Sequence, residues 1–256
     1  MIRLSTKAVR KNFESAISTA LRIYGPVRGD CIWNYESINE NTFHPRVASK
    51  VIGLSFLSIV AAWEEYLENS FLRYMTGALS ETGYAPRLRI GPCKSTAHAK
   101  QVLTSTVNTN EAVRFMRWND FEWVLAKAEI FFYRAEPYSR VDSHFLQRLK
   151  DAQIIRNRVA HSSSKARSQF KTITNRNVGA PKDSPMDYGF SPGRYLIYNK
   201  PEVVFGKSWV ETKHCEWPDI FECYVHMFTE LVYTITPHKE YAINAINPDL
   251  LRRCAT

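Results

Sequence analysis

Cysteine is scarce and badly placed for cross-linking. Cys31, Cys93, Cys215, Cys223 and Cys254 are odd in number, widely spread and free of any C-x-x-C pair. That argues against a disulfide scaffold, a zinc ribbon and a redox dithiol, and for free thiols in a reducing, cytosolic compartment. Long apolar runs are missing too. The longest, from Ile52 to Trp63, is broken by Gly53, Ser55 and Ser58 and falls short of the roughly 20 residues a bilayer span needs. The first residues lack the apolar core of a signal peptide, so no membrane association is expected. Histidines in ligand spacing are also lacking. His44, His98, His144, His214, His226 and His238 show no H-x-x-x-H or H-E-x-x-H pattern, so spacing offers no metal site and no cofactor is expected. There is no internal repeat and no low-complexity tract.

Acid is the charge in short supply. Against 34 Lys and Arg stand 25 Asp and Glu, a net charge of +9. Such a balance raises the local concentration of polyanions and speeds encounter with them. It points to RNA, DNA or an acidic protein as partner, and fits equally a basic soluble protein with scattered surface charge. With 256 residues and 45% hydrophobic content, the chain can bury a full core and sits at the upper end of one domain. We expect a single domain over 1–256 carrying an insertion.

Hydrophobic spacing predicts mostly helix. Residues 7–23 place Phe13, Ile17, Ala20 and Leu21 on one face, with Pro26 and Gly29 as the stop. From 47 to 75 the pattern is strongest: Ile52, Phe56, Ile59, Trp63 and Leu67 recur at steps of four and three, and the helix should end near Gly77. After a loop punctuated by Gly83, Pro86, Gly91 and Pro92, helices are expected at 96–105 and 118–132, the latter closed by Pro137. The stretch 141–161 carries Phe145, Leu149, Ala152 and Ile155 or Arg156 along one stripe and stops at Ser162, Ser163 and Ser164. Between about 165 and 216, Gly, Pro, Asn and Ser become common. Short β-rich runs at 195–198, 202–205 and 209–212, with Asn199-Lys200-Pro201 as a turn, predict a small β-hairpin insertion. A last helix is expected over 218–234.

One stretch stands out chemically. Arg156-Asn157-Arg158-Val159-Ala160-His161 sets a permanent cation and an imidazole close together at a helix end. In a regular helix five residues turn the chain by about 140°, so Arg156 and His161 do not share a face, whereas Asn157 and His161 do. A complete site from one copy is therefore less favoured than a site built where two copies meet on a two-fold axis.

The chain resembles the HEPN superfamily, all-helical domains of prokaryotic toxins, phage-defence proteins and RNA-processing nucleases. The resemblance rests on the R-N-x-x-x-H pattern at Arg156, Asn157 and His161. It rests also on Ala61-Ala62-Trp63-Glu64-Glu65-Tyr66-Leu67, which is similar to the long early helix of the RiboL-PSP type. Together these cover about 45–165. The resemblance implies a mainly α HEPN-type bundle, here with the β-hairpin insertion, acting as a homodimer with a composite site. It further implies a metal-independent endoribonuclease, a toxin or phage-defence effector acting on RNA such as tRNA, and an antitoxin or defence-system partner protein.

RNA can be cut without a metal because its own 2′-OH is the nucleophile. Imidazole titrates near neutral pH, which suits His161 to proton transfer. A guanidinium has forked donors that match phosphate oxygens, which suits Arg156 to charge stabilisation. Asn157 would orient the imidazole or donate to phosphate, and the resemblance places Glu64, ahead of Glu65, in the same cleft. Arg158, Lys165, Arg167 and Lys171 are the expected RNA-binding residues; in the insertion Lys171, Arg176, Lys182, Arg194, Lys200, Lys207 and Lys213 fit a grip on RNA phosphates or, taken singly, a solvated surface.

Other readings remain open. Arg156 and His161 also suit the capping of a helix C-terminus; Glu64 and Glu65 fit a solvated helix face; Trp118, Trp123, Phe131 and Phe132 fit a core better than a base-stacking platform. A non-catalytic HEPN module that binds nucleotide, RNA or a partner protein would need only the bundle and the charge. The chain departs from the family at Ser163. There, toxins silenced by nucleotidyl transfer carry the tyrosine that is modified.

Overall fold

The computed structural model describes residues 5–32, 43–105, 116–179, 190–213 and 218–238. Along these run α1 (Lys7–Ile32), α2 (Pro45–Met75), α3 (Thr96–Thr104), α4 (Phe121–Phe131), α5 (Ser143–Ala160), α6 (Ser164–Val178), α7 (Pro192–Leu196), α8 (Glu202–Phe205), α9 (Lys207–Glu211) and α10 (Ile220–Ile235). Two single 3-10 turns lie at Tyr133–Ala135 and Tyr138–Arg140. The protein is mainly helical.

The chain forms two compact units. One comprises Met1–Ser15, Ala62–Gln147 and Phe228–Ile246; the other comprises Ala16–Ala61, Arg148–Met227 and Asn247–Thr256. Helices α1, α2, α5 and α10 each contribute a segment to both.

In the first unit the core is aromatic. Trp63 packs on Phe13, Tyr66, Phe121 and Phe228, with ring centroids 5.4–6.3 Å apart. Phe71 meets Trp118, Phe131, Phe132 and Tyr138 at 4.9–6.4 Å. Two phenols serve the end of α10: Tyr66 Oη donates to Val232 O (3.1 Å) and Tyr74 Oη to Ile235 O (2.7 Å). Ile235 O is a carbonyl that a helix C-terminus otherwise leaves open, whereas Val232 O also accepts Thr236 N–H at 2.8 Å. Arg10, almost wholly buried, is neutralised by Glu14 and Glu81. Helix α3 starts on the Ser95 cap, whose Oγ accepts His98 N–H, and stops at Ser105 in the left-handed region.

The second unit is built around polar clamps as well as rings. Tyr24 stacks on Phe221 at 4.2 Å, and its hydroxyl donates to the buried Asp219 carboxylate. Asp219 also accepts from Glu222 N–H at the start of α10 and pairs with Arg28 Nε at 3.1 Å, while Arg28 Nη1 meets Glu222 at 3.0 Å. Phe56 and Phe205 both press on Tyr224. Gly193 is seated against α2 so closely that a Cβ there would lie 1.9 Å from Ser49 O, and Ser49 and Ser191 share a hydrogen bond beside it.

Two expectations are corrected. Residues 195–198, 202–205 and 209–212 form no hairpin: among the described residues there is no strand, and α6, α7, α8 and α9 occupy the 165–216 region, with 180–189 and 214–216 outside the described residues. Tyr195, Leu196, Val204, Phe205 and Val210 are buried here from short helices, an apolar run satisfying either geometry. Helix α1 does not stop before Pro26 but runs through it to Ile32. The missing proline donor is outweighed by what the extra turns bury and pair: Tyr24, Val27 and the Arg28 ion pairs.

Helix α2 is long and apolar enough to cross a bilayer by length and composition, yet half its most apolar stretch is buried inside the protein. Ile52, Phe56, Ile59, Trp63 and Leu67 are at most 4% exposed. Trp118, Phe131 and Phe132 are core residues and Trp123 is half-buried. Cys93 and Cys223 are buried free thiols.

Gly193→Ala should cost about 3 kcal/mol or more, because backbone, not a movable side chain, opposes the new methyl. Urea unfolding indistinguishable from wild type would overturn that close approach.

The charge clamp predicts a pH signature. Burial, reinforced by Asp219, pushes the Glu222 carboxyl up to about 7 against the pull of Arg28. Burial, with Lys213 adding to it, holds the His226 imidazole down to about 4. Folded Glu222 binds more protons than the unfolded chain between about pH 4.5 and 7, so its contribution falls as pH rises through that window. His226 binds fewer between about 4 and 6.5, so its contribution rises, and the two oppose each other. Glu222→Gln leaves the His226 effect exposed: relative to wild type it should gain roughly 2–3 kcal/mol on going from pH 4.5 to 7. Unfolding free energies with a constant difference across that range would contradict it.

Candidate functional site

The R-N-x-x-x-H residues lie in the second unit, at the end of α5. Arg156 is half-buried, with Nε inside the protein, and its Nη1 donates to Asn157 Oδ1 at 3.1 Å. The Asn157 carbonyl accepts His161 N–H at 2.9 Å, so helical bonding reaches His161 although its side chain is exposed. Arg158 Nη1 donates to His161 O at 3.3 Å. Of the arginines here, Arg158 therefore caps an open carbonyl, while Arg156 engages the neighbouring amide.

Only residues 161–163 separate α5 from α6. Ser163 Oγ accepts Ala166 N–H at 3.3 Å and caps α6, which is why the serine cluster breaks one helix and begins the next. Helix α6 buries Ala166, Phe170, Ile173 and Asn177 at steps of four, three and four. That spacing turns Lys165, Arg167 and Lys171 outward, and all three are exposed. Arg158 is half-buried. Arg176 and Arg194 are exposed, as are Lys200 and Lys207; Lys213 is half-buried over the Trp209 ring; Lys182 lies outside the described residues.

What fixes α6 against α5 is a buried carboxylate. Asp151, fully buried, meets Arg148 Nη1 at 3.3 Å and Arg176 Nη2 at 2.5 Å. Asn177 donates from Nδ2 to Tyr195 Oη at 2.6 Å, extending the tie to α7. Beyond Asp151 the sequence holds no Asp or Glu until Asp183. From Asp151 to Asp183 the cations of α5 and α6 thus have no acidic neighbour in the sequence.

Helix α2 approaches this corner at Gly53, where a Cβ would lie 3.3 Å from Val159 Cγ2. The pattern of 47–75 treats Gly53 only as an interruption. A glycine inside so strong a helical stripe is itself a sign of close approach. Asp151 and Arg176 were equally out of reach, because 25 residues separate the partners.

Glu64 belongs to the first unit, with Oε1 buried; Glu65 is exposed. Among the described residues no group of three His, Cys, Asp or Glu is arranged to hold a metal ion. The chain matches no protein-family model, no curated protein and no solved structure.

Gly53→Leu should push the last turn of α5 outward. We expect a loss of about 1–3 kcal/mol in urea unfolding and a displaced His161 imidazole resonance in NMR spectra. An unmoved resonance would show that Gly53 does not set the position of this turn.

Proposed function

We propose that the protein is a HEPN-like, metal-independent endoribonuclease that works as a toxin or phage-defence effector in the cytosol. The observation that carries this reading is the end of α5, where Arg156 donates to Asn157 and His161 is exposed, followed after a three-residue turn by α6 with the exposed cations Lys165, Arg167 and Lys171. His161 takes the proton of the 2′-OH, or returns one to the leaving 5′-oxygen; Arg156 stabilises charge on the phosphoryl oxygens. Asn157, which already accepts from Arg156, holds that guanidinium in place. Arg158, Lys165, Arg167 and Lys171 bind the RNA backbone. Because Arg156 and His161 lie about 140° apart around the helix, two copies on a two-fold axis supply the complementary groups. Glu64, by the family resemblance, has a supporting role.

The second reading is a non-catalytic module that binds RNA, nucleotide or a partner protein. The Arg158 bond to the His161 carbonyl favours it, since that bond serves the helix end alone.

Freshly purified protein in EDTA should cleave total RNA to 2′,3′-cyclic phosphate and 5′-hydroxyl ends. His161→Ala should lower the rate about 100-fold or more without altering the melting temperature. Equal cleavage by both proteins, or none by either after removal of any co-purified inhibitor, sinks the catalytic reading.

A further inference from the structure

A second cationic surface lies wholly in the first unit. Residues 87–89 run against 131–133: Tyr133 N–H donates to Arg87 O at 2.8 Å, Arg89 N–H to Phe131 O at 2.9 Å, and Leu88 bridges Phe132. This pairing fixes Arg87 beside Tyr133, with its guanidinium carbon 5.0 Å from the ring centroid. From the other side in sequence, Arg134 places its guanidinium 5.5 Å from the same ring. Tyr133 is 46% exposed, and Arg87, Arg89 and Arg134 are exposed around it.

Two features separate this cluster from a scattered basic surface. None of Arg87, Arg89 and Arg134 has a carboxylate partner among the described residues; nearby Glu136 is held by Arg140 at 2.6 Å, and Glu129 faces solvent on α4. The backbone is also strained where the cluster is made. Arg134 and Ala135 have φ of 57° and 56°, a region costly for residues with a Cβ. In this conformation the Arg134 guanidinium lies 5.5 Å from the Tyr133 ring centroid.

We propose that Arg87, Tyr133 and Arg134 form a binding site for single-stranded RNA. A nucleobase takes the place of a guanidinium over the Tyr133 ring, the released guanidinium and its neighbour hold the flanking phosphates, and Arg89, whose Nε is already donated to Phe132 O at 3.3 Å, adds its charge to the field. Every base offers a π-face, so an exposed tyrosine between unneutralised arginines suits an unpaired strand; an acidic peptide would use the charges but gain nothing from the ring. Choosing RNA as ligand rests on the ribonuclease reading.

The test uses the full chain and a fluorescein-labelled RNA oligonucleotide of about 15 residues, the length of one single-strand site. Its 2′-oxygens are methylated, which prevents cleavage, and binding is read by anisotropy. Tyr133→Ala should weaken binding roughly tenfold or more, and Tyr133→Phe should retain it. Arg87→Ala combined with Arg134→Ala should lower the slope of log affinity against log salt by about 0.7 for each phosphate that is no longer neutralised. Arg134→Gly is the discriminating variant. It should weaken binding while holding or raising the melting temperature, because glycine relieves the positive φ; a purely structural Arg134 would lower it. Unchanged affinity in Tyr133→Ala, or equal loss in Tyr133→Phe, overturns the proposal, as does absence of binding by wild type. Tyr133-dependent binding by a protein that cuts no unmodified RNA leaves this site standing and removes the nuclease reading. His161-dependent cleavage with Tyr133-independent binding does the reverse.

Discussion

The Asp151 carboxylate is the constraint on which the α5–α6 corner depends. A fully buried charge is tolerable only when its partners are close and held in place, and here Arg148 comes from its own helix and Arg176 from the next. The pairing ties α6 back to α5 at Arg176. Of the basic residues in this part of the chain, Arg148 and Arg176 are committed to structure. Lys165 and Arg167, on the outward face of α6, remain directed to solvent.

The rest of the second unit works in the same way. Asp219 accepts from Tyr24, from Arg28 and from the first turn of α10, so one carboxylate serves as ion-pair partner and helix cap together. Gly193 and Gly53 achieve close packing without charge: removing a side chain lets α7 and the end of α5 reach the α2 backbone. Polar clamps and bare backbone together hold short helices that contain too few residues to be stable by propensity alone.

How much of this was legible in the sequence depended on range. The α2 stripe was readable because Ile52, Phe56, Ile59, Trp63 and Leu67 repeat at helical steps, and all five lie in the core. The end of α5 was readable from its serines, since Ser163 is a cap. The 195–212 region is not legible in the same way: short apolar runs carry no period, and Tyr, Val and Phe weigh toward strand until tertiary packing makes them helical. Pro26 reads locally as a stop, yet α1 runs through it because the gain from Tyr24 and Arg28 comes from Asp219 and Glu222, at the far end of the sequence. At the candidate site the R-N-x-x-x-H pattern is visible in the sequence, whereas Asp151, Arg176 and Gly53, which tie α5 to α6 and to α2, carry only long-range information.

The phenols of Tyr66 and Tyr74 have a consequence for how the first unit opens. Most helix ends fray one turn at a time, at little cost, because water readily takes over their carbonyls. The last turns of α10 instead lend Val232 O and Ile235 O to hydroxyl groups carried on α2. Those turns cannot loosen without stranding two phenols in an aromatic core. Opening there is therefore tied to departure of α2 itself, and the end of α10 becomes one of the slowest-exchanging parts of the molecule, where a helix terminus would ordinarily be among the fastest.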